Sequence, residues 1–289
     1  MHFLMVLAAV LGSLTFRCCY DRLEITGYRE RWYAALAQLV FPPLLLISTA
    51  LAVVCMGTEG EMVWAKTAHL SYGISSSFLG IALGLLILSA ASASKQTQSL
   101  RRYPKQQILG MSCRLFECDI PFSAVVGLWK PELAVGRGLL DRLDETRLKA
   151  VLAHEQAHLY YRDTFWFFWL GWLKRLTRWL PKTEAVWQEL LLLREIRADR
   201  WAAQQVDGLL LAESLLTVAK APFQPLPCDD FGDRSDVSAA LSCDAPRSRL
   251  EERIEALLED TPPIPNWQPC LCQWLALAFV PMSIVPFHY

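Results

Sequence analysis

Two histidines and a glutamate stand where metal binding and acid–base chemistry meet, in the run His154-Glu155-Gln156-Ala157-His158. The pattern is H-E-x-x-H. Around it, Leu148, Val151, Leu152 and Leu159 recur at the three- and four-residue spacing of a helix. Residues four apart share a helix face, so the two imidazoles converge on one point. Neutral imidazoles at that spacing bind zinc, with Glu155 beside them to take a proton from a water. Asp144 is suited to cap this helix and Glu145 to sit in its first turn, which places it from about Asp144 to Tyr161. The competing reading is an ordinary exposed helix that carries two of the chain's five histidines.

A catalytic zinc takes three protein ligands and keeps one position open. His2 and His288 lie at the ends of apolar stretches and His69 at the edge of another, so the third ligand is expected to be a downstream carboxylate or thiol. Glu195 is the leading candidate, on a second helix expected from Thr183 to about Val206. Asp199, one turn later on the same face, is expected to accept a hydrogen bond from a ligand histidine and fix its tautomer. Glu189 and Glu184 are rivals and Cys228 a remote one. Without a metal, the same helix reads as a solvated acidic face paired with Arg194, Arg197 and Arg200.

The elements that position these groups begin with apolar runs. The chain has 289 residues, a formal charge of −1 and 53% hydrophobic content, and the hydrophobic residues are bunched. Met1–Phe16, Trp32–Thr58, Thr67–Ser94 and Trp267–Tyr289 contain no Lys, Arg, Asp or Glu. Each is a candidate membrane span, the first a little short of about 20 residues and open to a signal-peptide reading. Arg17, Arg22, Arg29 and Arg31 follow the first run, only Lys66 separates the second from the third, and Lys95, Arg101, Arg102 and Lys105 follow the third. Basic loops stay in the cytoplasm, which puts the N-terminus outside and the histidine motif inside. Gly80 and Gly84 form a G-x-x-x-G step for close helix approach. The charge balance offers nothing to nucleic acid. The nine cysteines form no C-x-x-C pair and are expected to be reduced, those beside the spans being candidates for lipidation.

Cys113–Cys118, Ser123–Gly127 and Leu133–Val135 read as short strands between Pro and Gly. This small sheet precedes the metal helix, and an edge strand in it suits a substrate held in extended form. After the motif, Trp166, Trp169 and Trp172 recur every third residue and Lys174, Arg175 and Arg178 follow. Aromatics beside basic residues suit the headgroup region, so this helix is expected to lie on or dip into the membrane, with a buried core helix as the alternative. Pro222–Pro246 reads as a loop and Arg247–Leu258 as a charged amphipathic helix. The domains expected are 1–94 with three spans, 95–266 as a cytoplasmic metal-binding domain, and 267–289 as the fourth span.

Three separated segments resemble the BlaR/MecR-type antirepressor zinc metallopeptidases. They are Val125-Val-Gly-Leu-Trp-Lys-Pro-Glu-Leu-Ala-Val135, the run from Leu148 through the two histidines to Arg162-Asp163, and Arg249-Leu-x-x-Arg-Ile254. The resemblance covers about residues 95 to 260 and the flanking spans. It implies that His154, His158 and Glu195 bind Zn2+, that Glu155 is general base and acid, and that Asp199 supports a ligand. The fold class expected is an α-rich membrane protein, four transmembrane helices with a cytoplasmic α+β zincin-like metallopeptidase domain. The function expected is a zinc metalloendopeptidase in a bacterial-type inner membrane, cleaving cytoplasmic or membrane-proximal proteins, in particular a DNA-binding repressor in signalling. Those sensors carry an extracellular ligand-binding domain after the last span, and this chain ends at Tyr289, so a different input signal is expected. Membrane-protein quality control, and a scaffold with a structural metal, are the other readings.

Overall fold

The computed structural model describes residues 2–18, 27–57, 65–119, 121–219, 249–258 and 269–287. The expected loop Pro222–Pro246, including Cys228 and Cys243, lies outside them. The chain divides into two compact units, and neither is one continuous stretch: Met1–Leu88, Trp172–Leu190 and Pro263–Tyr289 form the first, and Ser89–Gly171 and Leu191–Pro262 the second.

The first unit is helical. Helices α1 (His2–Cys18) and α2 (Tyr28–Met56) pack along one another, and α3 (Ala65–Arg101) begins here. Among the described residues, two helices are long and apolar enough to cross a membrane, Tyr28–Met56 and His69–Arg101. The most apolar window of α3 is only 17% buried, unlike the core helix of a soluble protein. Ile74, Ile81, Leu83, Ile87 and Leu88 on α3, and Phe3, Leu4, Leu7 and Leu11 on α1, are exposed. An apolar surface of that extent needs lipid or protein to cover it.

Among the described residues, four full-length spanning helices are not seen. Helix α1 has 17 residues, and the C-terminal stretch is α10 (Pro269–Ala278) followed by a 3-10 helix (Val280–Phe287). Pro281 supplies no N–H and its ring meets the carbonyl four residues back, so the α-helical ladder stops before it. The two pieces still run beside α2, with Trp274 against Phe16 and Phe41, Ser48 Oγ bonded to Ala278 O, and Met282 and Val285 in the cluster of Ala52, Val53 and Met56. Among the described residues, a Cβ at Gly80 or Gly84 would meet nothing within 4 Å.

The second unit holds a four-stranded sheet, order β1-β2-β4-β3, from β1 (Lys105–Ile108), β2 (Met111–Phe116), β3 (Ser123–Val126) and β4 (Glu132–Gly136). The polar strand β1 was not legible as a strand because its residues are exposed or half-buried. Leu109 and Gly110 turn it into β2 with φ of 48° and 81°, the pair of positive angles a tight hairpin requires. β2 pairs with β4 in parallel, and β3 pairs with β4 antiparallel at the edge.

After the sheet the chain forms α4 (Arg137–Arg142), α5 (Glu145–Tyr161), α6 (Asp163–Leu176), whose end from Trp172 belongs to the first unit, α7 (Thr183–Ala203), which passes from the first unit into the second after Leu190, and then α8 (Gly208–Ala219) and α9 (Leu250–Leu258). α5 carries the histidines. Asp144 caps it by accepting a hydrogen bond from Arg147 N at 2.8 Å, and Arg162 ends it in the left-handed conformation at φ 53°. Its Leu148, Val151 and Leu152 pack with Cys113, Val125, Leu133 and Val135 of the sheet. Its opposite side, Ala150 and Ala153, packs with Ala202 and Leu211. Buried on two faces, α5 is a core helix.

Candidate metal centre

Helical geometry alone places the first three groups. His154, Glu155 and His158 are buried, and the two imidazoles meet edge to face with their Nε2 atoms 3.2 Å apart. α7 brings Glu195 to them. Glu195 Oε2 lies 3.3 Å from His154 Nε2, and Oε1 lies 3.7 Å from His158 Nε2. The ligand-capable atoms of His154, His158 and Glu195 all fall within 4.8 Å of one another.

Each histidine is backed by a carboxylate. Asp199 Oδ1 is 2.8 Å from His154 Nδ1, and Asp163 Oδ2 is 2.7 Å from His158 Nδ1. A carboxylate at Nδ1 keeps the proton there and leaves the Nε2 lone pair facing its neighbour. Two such lone pairs 3.2 Å apart, with a carboxylate oxygen beside them, repel unless a cation lies between. Among the described residues, none makes a well-formed hydrogen bond to the buried Glu195 Oε2. This donor set, two imidazole nitrogens and a carboxylate, fits Zn2+.

Arginines balance the buried carboxylates. Arg194 Nε and Nη2 lie 2.9 and 2.8 Å from Glu195 Oε1. Arg253, on α9, donates to both oxygens of Asp199 at 2.8 and 2.9 Å. Arg197 bonds to Asp163 and lies over the Tyr161 ring. Burial opposes ionisation of all three acids, yet each carboxyl is held below its usual range. Arg194 and Arg253 do this for Glu195, Arg197 for Asp163, and Arg253 for Asp199. The solvated acidic face weighed above is therefore not what α7 presents, since Arg194, Glu195 and Asp199 are 5%, 1% and 0% exposed.

The rival ligands are engaged in the other unit. Glu189 pairs with Arg31 at 2.7 Å and Glu184 with Lys174 at 2.9 Å. Three contributors went unread in the sequence. Ser123 Oγ donates to Glu155 Oε1 at 2.7 Å from strand β3. Asp163 was visible only as part of a motif, and Arg253 only as part of a helix repeat. Asp163 sits one residue beyond the C-cap of α5, a place from which a short acid reaches back to the last turn, and that was the available signal.

Ligand-supporting carboxylates tune metal affinity by about 10- to 100-fold. Asp163→Asn, which keeps the shape and removes the charge, is expected to weaken zinc binding within that range. Competition with a fluorescent zinc chelator measures it, and unchanged affinity refutes the support assigned to Asp163.

A buried cluster of two histidines and a glutamate on α5 and α7, with Glu155 between the histidines in sequence, defines the chain as a zinc-dependent metallopeptidase of the two-histidine, one-glutamate kind. More particularly, the model of peptidase family M48 matches residues 123–188, from strand β3 through the HExxH helix into α7. No curated protein matches the chain.

Proposed function

We propose that the chain is a membrane-bound metalloendopeptidase whose substrates are cytoplasmic or membrane-proximal proteins. The observation that carries this reading is the buried cluster of His154, His158 and Glu195 in a chain that also bears α2 and α3 as candidate spans. His154, His158 and Glu195 hold the metal, Glu155 handles protons, and Asp199 and Asp163 support the histidines. Zinc in that site supplies the polarisation of a peptide carbonyl and the acidification of a water. Glu155 takes the proton on its carboxylate and returns it to the leaving amine. Ser123 Oγ donates to Oε1 of Glu155 and so orients its carboxylate for that exchange. A substrate strand adds to the outer edge of β3, which pairs with β4 on its other side.

The division into residues 1–94, 95–266 and 267–289 is read as spans, peptidase domain and last span. α1 and the stretch 269–287 join α2 and α3 as crossings, because both pack along α2. Arg17, Arg29, Arg31, Lys95, Arg101 and Arg102 orient the peptidase domain toward the cytoplasm of a bacterial-type inner membrane. By the resemblance carried by Val125–Val135, Leu148–Asp163 and Arg249–Ile254, the substrate we favour is a DNA-binding repressor. Protein N-termini compared between cells with the native chain and with Glu155→Gln test this. A single repressor cut only by the native chain is the expected result. Many cut membrane proteins would replace signalling with quality control, and no difference would count against peptidase action.

A further inference from the structure

We infer that the turn between α6 and α7 is a membrane-inserted element, seated among phospholipids of the cytoplasmic leaflet. The inference rests on the membrane-bound reading above and adds a segment that hydropathy does not select. Residues 172–190 belong with the apolar helices. Leu173 and Leu176 cluster with Ala82, Val40, Leu44 and Ile47, and Trp172 Nε1 donates to Ala82 O at 2.9 Å.

Two helices report the same depth. The charged end of α1 lies level with residues 38–41 of α2, because Phe16 O accepts from Gln38 Nε2 at 2.9 Å and the Phe16 and Phe41 rings are 4.6 Å apart. From Phe41 to Ile47 is about 9 Å along a helix at 1.5 Å per residue. On α3 the large apolar side chains stop at Leu88 and small and polar ones run from Ser89 to the first charge at Lys95, and from Ala82 to Ser89 is about 10 Å by the same rise. The partners of Leu173 and Leu176 thus reach about 10 Å past the polar ends of both spans, a depth typical of interfacial insertion.

The turn is built for such a place. Non-helical backbone at membrane depth must satisfy its own polar groups. Thr183 Oγ1 lies 2.8 Å from Thr177 O and 3.0 Å from Leu180 O, and Thr177 Oγ1 donates to Leu173 O at 3.1 Å. Leu180 N donates to Thr177 O at 2.9 Å and Trp179 Nε1 to Leu176 O at 3.1 Å. Lys174, 2% exposed, is neutralised by Glu184 at 2.9 Å and lies over the Trp187 ring. Trp179 and Arg178 face outward, an aromatic ring with a long cationic stem that reaches back to lipid phosphate.

The test uses the full chain with zinc, in nanodiscs of phosphatidylethanolamine and phosphatidylglycerol. A ketoxime spin label on p-acetylphenylalanine is placed singly at Trp179, Arg178, Ile81 and Lys149, with retained zinc as the check of folding. Power saturation against oxygen and a water-soluble nickel chelate gives depth. Labels at Trp179 and Arg178 are expected to favour oxygen over nickel and to read about 5–10 Å below the phosphates. Ile81 is expected deeper and Lys149 in water. Water-like values at both turn positions, with Ile81 in lipid, overturn the inference alone. Water-like values at Ile81 as well overturn the membrane-bound reading beneath it.

Discussion

Glu155→Gln is expected to abolish peptide hydrolysis while leaving zinc content at that of the native chain. Glu155 is 2% exposed and stands outside the converging cluster, whose ligand atoms belong to His154, His158 and Glu195. Glutamine keeps the volume and still offers Ser123 an oxygen to donate to, so the 2.7 Å contact survives. What is lost is the only function that requires a carboxylate, taking up a proton and giving it back. A positioned acid–base group contributes about 10²- to 10⁴-fold in rate, and the upper part of that range is expected because one residue serves both transfers. Turnover of a substrate identified from the N-terminal comparison, alongside metal analysis of the same preparation, measures both quantities. A glutamine variant with native turnover ends the assignment of Glu155. One that has lost its zinc places Glu155 among the groups that hold the metal.

The second large effect is at Glu195. Glu195→Gln is expected to lose zinc on dialysis at neutral pH and to lower the thermal midpoint of the metal-free chain as well. The first loss follows from removing one of three ligands. The second follows from charge. Arg194 lies 2.8 Å from Glu195 Oε1 and Arg253 Nη1 3.7 Å from Oε2, all of them nearly or fully buried. Removing one partner of a buried ion pair costs about 3–5 kcal/mol, because the other charge is left uncompensated. Glu189→Gln is the control. Glu189 pairs with Arg31 in the other unit, so that variant is expected to keep its zinc. Metal analysis and thermal unfolding of the two variants decide between the carboxylates. Zinc retained in Glu195→Gln and lost in Glu189→Gln reverses the ligand choice.

Local pattern made much of the site legible. His154, Glu155 and His158 share a helix, and a helix converts i and i+4 spacing into a shared face whatever surrounds it. Asp144 signalled the start of that helix for the same reason, since capping is decided within three residues. The apolar runs of α2 and α3 were legible from length and charge. The C-terminal stretch was misread as one helix because hydropathy does not register the missing N–H of Pro281. Strand β1 was missed because its pairing with β2, rather than any apolar alternation, makes it a strand. For the tryptophan-rich helix, aromatic and basic spacing did not tell the inward side from the outward one: Phe167, Phe168, Leu173 and Leu176 are buried, whereas Trp166 is exposed.

The sequence by itself determined the reacting trio, the metal it suits and the apolar segments, because each depends on residues a turn or a span apart. Only the tertiary structure decided the rest. It selected Glu195 over Glu189 and Glu184, gave Asp199 and Asp163 their guanidinium partners, and set Ser123 against Glu155 across 32 residues of chain. It also joined residues 172–190 to helices that begin far earlier. The physical reason is range. Helix faces and hydropathy are properties of neighbouring residues, whereas which buried charge meets which is settled when the helices pack and desolvation leaves no unpaired arrangement tolerable.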